Sequence, residues 1–76
     1  MKVSEMFLDE MPWIYPADTR VSIILHQSEN DEGCCVVVGK PTNKKIIDYF
    51  RHDVRFFTYD ARSKKLMISV TGDLII

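Results

Sequence analysis

Val54-Arg55-Phe56-Phe57-Thr58-Tyr59, then Asp60-Ala61-Arg62-Ser63-Lys64, then Lys65-Leu66-Met67-Ile68-Ser69-Val70, is the stretch on which the fold turns. Two runs rich in β-branched and aromatic residues flank a polar turn, so they read as a β-hairpin. Setting Tyr59 opposite Lys65 pairs Phe56 with Ile68 and Val54 with Val70 on one side. The same register leaves Phe57 opposite Met67 and Arg55 opposite Ser69 on the other side.

Just upstream, Pro41-Thr42-Asn43 reads as a helix start, with Thr42 or Asn43 as cap and Lys44 opening the helix. Ile46, Ile47 and Phe50 form its expected buried stripe, with Tyr49 at the margin; His52-Asp53 ends it. The first half of the chain repeats this order. Val3, Met6, Phe7, Glu10 and Met11 follow helical spacing, with Ser4 as cap, until Pro12 stops the run. Trp13-Ile14-Tyr15-Pro16 then reads as an apolar loop, expected either to close the core's edge or to anchor an interface. Val21–Gln27 and Cys34–Lys40 read as a second hairpin around the polar loop 28–33. Gln27 opposite Cys34 sets Leu25 against Val36 and Ile23 against Val38, and on the other side Ile24 against Val37 and His26 against Cys35. The expectation is a single α+β domain over residues 1–76, of order αββαββ, with a four-stranded antiparallel sheet and two short helices on one face.

Seventy-six residues stand near the lower limit for an unaided hydrophobic core, and domains of this size are often supported by disulfides, metals or self-association. The two cysteines, Cys34 and Cys35, are adjacent in a strand and point to opposite faces, so a mutual disulfide or shared metal is not expected. That favours a reducing, cytoplasmic setting and makes self-association the expected support. The opening Met1-Lys2-Val3-Ser4-Glu5 shows no signal pattern, and no apolar run reaches membrane-spanning length. Net charge is −1, yet residues 1–33 hold two bases against seven acids and residues 34–76 eight bases against four acids. A chain so polarised can orient against a charged partner or pair head-to-tail with itself.

In the derived register the core side takes Val21, Ile23, Leu25, Val36, Val38, Val54, Phe56, Leu66, Ile68 and Val70. The reverse side takes Ile24, Val37, Arg55, Phe57, Tyr59 and Met67 among smaller and polar residues. A water-facing sheet side should alternate to polar residues, so this set reads as a protein interface. The competing reading has Leu74-Ile75-Ile76 or the Trp13 loop folded over it.

Catalytic and metal signatures are missing from the sequence. A His26–Cys35 pair would need an orienting third residue and an oxyanion site, and none is identifiable. Cys34, Cys35, His26 and His52 lack zinc spacing, and Glu29-Asn30-Asp31-Glu32 is too short for a calcium loop. The three glycines form no phosphate-binding string. The expectation is therefore a non-enzymatic protein without cofactor or metal. Arg55, Phe57 and Tyr59 on an open sheet match the way aromatic residues stack single-stranded nucleic acid, which is the alternative reading. The missing RNA-recognition consensus and a pI of about 6.0 weigh against it.

Met1-Lys2-Val3-Ser4-Glu5-Met6-Phe7, Thr19-Arg20-Val21-Ser22-Ile23-Ile24-Leu25 and the pattern Val54, Phe56, Leu66, Ile68, Val70 carry a resemblance. In these the chain is similar to small αββαββ proteins encoded by phages and mobile elements of Gram-positive bacteria. The resemblance implies a protein that binds a host or phage protein stoichiometrically and blocks or redirects it, inhibitors of CRISPR-type immune effectors being one such class. The open sheet face adds the expectation of a homodimer formed through that face. The resemblance names no partner and carries over no catalytic residues. Glu29, Asp31 and Glu32 are then the candidates for acidic contact with a basic surface.

Overall fold

The computed structural model describes residues 1–5 and 18–75. The expected first helix beyond Glu5, and the Trp13-Ile14-Tyr15-Pro16 loop, lie outside the described residues. Four strands follow the expected order: β1 (Arg20–His26), β2 (Cys34–Gly39), β3 (Asp53–Asp60) and β4 (Lys65–Thr71), with helix α1 (Lys44–Ile47) between β2 and β3. They form one sheet in the order β2-β1-β4-β3.

The sheet is mixed, which corrects the all-antiparallel expectation. Both hairpins are antiparallel, but the strands where they meet, β1 and β4, run parallel. The connection from β2 through α1 to β3 carries the chain from one sheet edge to the other, a crossover that needs a helix-length linker. β4 then returns beside β1. The parallel register sets Val21 against Leu66, Ile23 against Ile68 and Leu25 against Val70. All six are buried and form the centre of the core, as their alternation indicates.

The outer strands depart from the derived registers, because each outer pair contains an irregularity of one residue. In β3, Val54 pairs with Val70 as expected, but the register shifts between Val54 and Phe56. Beyond that bulge Phe57 faces Ile68 and Tyr59 faces Leu66. In β2 the register shifts opposite Ile23 and Ile24, so Ile23 faces Val37 and Ile24 faces Cys35. A slip of one residue exchanges the two faces of a strand. Val37 therefore joins the core while Val38 is exposed; Phe57 and Tyr59 lie against the core while Phe56 is exposed.

Asn43 is the cap of α1, its side chain accepting from Lys45 N–H at 2.9 Å. The helix then tightens: Tyr49 N–H donates to Ile46 and Phe50 N–H to Ile47, both over three residues. In such a turn residues three apart eclipse, so Ile46 and Tyr49 share the buried side. Ile47 is exposed, against the expected stripe, and Phe50 is half-buried.

Val3–Glu5 are helical. Ser4 lies within this turn rather than capping it; Glu5 reaches back to the Lys2 N–H at 3.3 Å, one arm of a capping box. Buried Val3 joins Ile46 and Tyr49 in the core above β1 and β4.

Candidate protein interface

The side of the sheet away from the core is built in two rows. One runs Val38, Ser22, Met67, Thr58 and the next runs Cys35, Ile24, Ser69, Phe56, each across β2, β1, β4 and β3. Phe56 is 52% exposed, Val38 51% and Met67 40%. Phe56 and Met67 stand diagonally on neighbouring strands, within reach of one another's side chains. Val38 is separated from Met67 only by the small Ser22.

Of the residues expected on this face, Ile24 and Met67 are there. Val37, Phe57 and Tyr59 are turned to the core side, and Arg55 is the residue over which the β3 register shifts. Phe56 and Val38, which the derived registers put in the core, take their places. Nothing in the local sequence distinguishes these choices. Phe56-Phe57 and Val36-Val37-Val38 offer an apolar residue in either phase.

The end of this face near the β1–β2 loop is closed by the chain itself, and Asp31 organises the closure. Its carboxylate accepts from Gln27 N–H at 2.9 Å and from Gly33 N–H at 3.0 Å. Those two backbone bonds hold the Asp31 carboxyl below its ordinary range. The Asp31 carbonyl accepts from His26 Nδ1 at 3.0 Å, which makes Nδ1 the protonated nitrogen. Gly33 then lies directly over His26 and Ile24, at φ 89°. A Cβ there would stand 2.6 Å from His26 Cε1 and 2.9 Å from Ile24 Cγ2, so the position requires glycine twice over. Asp31 is thus a loop anchor, whereas Glu29 and Glu32 extend exposed from the same loop.

The described tail residues, up to Ile75, do not lie on this face. Gly72 N–H donates to His26 O at the end of the parallel pair, and the chain then turns to α1. His52 Nε2 lies 2.8 Å from Asp73 O, and Ile75 N–H donates to Tyr49 Oη at 3.3 Å. Ile75, Tyr49, Val36, Val37, Lys45 and Asp48 line a groove of about 320 Å³ over β2.

Cys34 and Cys35 are free and exposed. Cys35 sits opposite Ile24 rather than His26, so the strand pairing does not bring thiol and imidazole together. Among the described residues no three acidic, His or Cys side chains gather as metal ligands, and no helix is long and apolar enough to cross a membrane.

Comparison with protein-family models, with curated proteins and with solved structures finds no match.

Proposed function

We propose that this protein is a non-enzymatic protein-binding module and that its contact surface is the sheet face carrying Phe56, Met67, Val38 and Ile24. The observation that supports this most is the exposure of Phe56, Met67 and Val38 on one side of the sheet, with only the small Ser22 between Val38 and Met67 and Thr58 beside Met67. The row Val38, Ser22, Met67, Thr58 carries no charge, the composition of an interface core. The nucleic-acid alternative loses its support, since two of its three stacking residues, Phe57 and Tyr59, lie against the core. In the reducing, cytoplasmic setting expected from the two cysteines, such a module acts by occupying a host protein, with exposed Glu29 and Glu32 meeting a basic rim.

The test is co-purification from the native host with wild-type and Phe56→Glu baits of equal thermal stability. A stoichiometric partner held by the wild type and reduced at least about tenfold by Phe56→Glu is expected for a hot-spot aromatic. Equal recovery by both baits, or no partner at all, sinks the reading.

A further inference from the structure

The sheet has two edges, and only one is both paired and charged. At the β3 edge, Met1 O accepts from Val54 N–H at 2.7 Å, Lys2 bridges to Asp53, and Asp53, Arg55 and Asp60 add charge along the strand. At the β2 edge the strand reads Cys-Cys-Val-Val-Val-Gly, without a charge or a proline. Among the described residues nothing pairs with its outer side. A bare, uncharged edge strand is a template for another strand.

We infer that β2 pairs antiparallel with β2 of a second copy, joining two sheets into one of eight strands. Charge selects this occupant and this direction. β2 is preceded by exposed Glu29 and Glu32 and followed by Lys40, with Lys44 and Lys45 opening α1. A two-fold axis at Val36 brings Lys40 of each copy to Glu32 of the other, four residues either side. Parallel pairing would instead stack acid on acid and base on base. Neither Lys40 nor Glu32 takes part in an ion pair among the described residues, whose two pairs are Lys2–Asp53 and Lys64–Asp18. The polarised charge of the chain thereby becomes head-to-tail complementarity. The groove over β2 also lies along this seam, where a neighbouring copy covers Val36 and Ile75. A second copy placed here leaves the Phe56–Met67 face free, so the two readings use different surfaces and share only Glu32, which the seam claims and which leaves Glu29 for the partner's rim.

The test is a charge swap read by sedimentation equilibrium at low salt. Wild type is expected to be a dimer. Glu32→Lys and Lys40→Glu each place like charges at both ends of the seam and should weaken self-association at least about fivefold. Mixed together, these two variants restore both opposite-charge contacts and should form a heterodimer; a chain carrying both changes should dimerise like the wild type. Hydrogen exchange should show β2 amides protected with rising concentration. A monomeric wild type overturns the inference. So does a dimer indifferent to the swaps but abolished by Phe56→Glu, which would put the second copy on the sheet face. Loss of partner capture with the swap pattern intact would count against the proposed function alone.

Discussion

The two outer strands, β2 and β3, meet the same problem and resolve it differently. Both carry an irregularity of one residue, at Val36 and at Arg55, and both thereby exchange the apolar residues that face the core. In β3 the exchange turns Phe57 and Tyr59 inward and puts Phe56 outside, and the strand's open edge is guarded by Met1, Lys2 and its own charges. In β2 the exchange buries Val37 and exposes Val38, but the edge is left bare. The lesson is that a bulge sets which face a strand presents, while charge and pairing set whether its edge is available. One edge is closed by the chain itself; the other is unpaired among the described residues.

The largest effect that could break this comparison lies in β3. Phe57→Ala should cost about 2–4 kcal/mol in urea unfolding, because it leaves a void beside Ile68, whereas exposed Phe56→Ala should stay under about 1 kcal/mol. Equal costs would mean that the strand is not bulged. A somewhat smaller effect is expected at the β2 end. Gly33→Ala should cost about 1–3 kcal/mol, from positive φ and from the approach to His26 and Ile24. Its loss should be accompanied by faster exchange of the Gln27 and Gly33 amides that Asp31 holds.

The smallest effect is a pH dependence that separates the edges. Asp53 is held below the ordinary aspartate value of 3.8 by the Lys2 ammonium at one edge, Asp31 by the Gln27 and Gly33 N–H groups at the other. A carboxyl lowered in the folded state contributes stability that is complete above 3.8 and is lost as pH falls through its lowered value. Stability should therefore decline below about pH 4, less steeply in Asp31→Asn and in Asp53→Asn. Added salt should shrink the Asp53 contribution and spare that of Asp31, since a surface ion pair is screened more than a pair of backbone hydrogen bonds. Equal salt sensitivity of the two variants would erase the distinction.

The strand and helix elements were legible wherever the apolar period was unambiguous. Val21, Ile23 and Leu25 alternate with non-core positions, as do Leu66, Ile68 and Val70, and all six went to the core as read. The cap was legible to within one residue, as Thr42 or Asn43, because both side chains suit the orphan N–H groups of a first turn, and the structure selects Asn43. The candidate site was half legible. Ile24 and Met67 lie on the strands with clear phase and were placed correctly, while Phe56 and Val38 were missed in favour of their neighbours Phe57 and Val37. Those strands contain adjacent apolar residues, so two registers bury nearly equal apolar area and local pattern cannot choose between them.

By itself, the sequence determined which segments are strands, where the hairpin loops fall, the central core row and the polarised charge of the chain. Each follows from side-chain period, turn chemistry or simple summation along the chain. Strand order, the parallel meeting of β1 and β4, the phase of β2 and β3 and the identity of the exposed face were decided only in the tertiary structure. The physical reason is that a one-residue irregularity costs little locally, whereas setting six core side chains in register across β1 and β4, with Tyr49, Ile46 and Val3 above them, stabilises the whole domain.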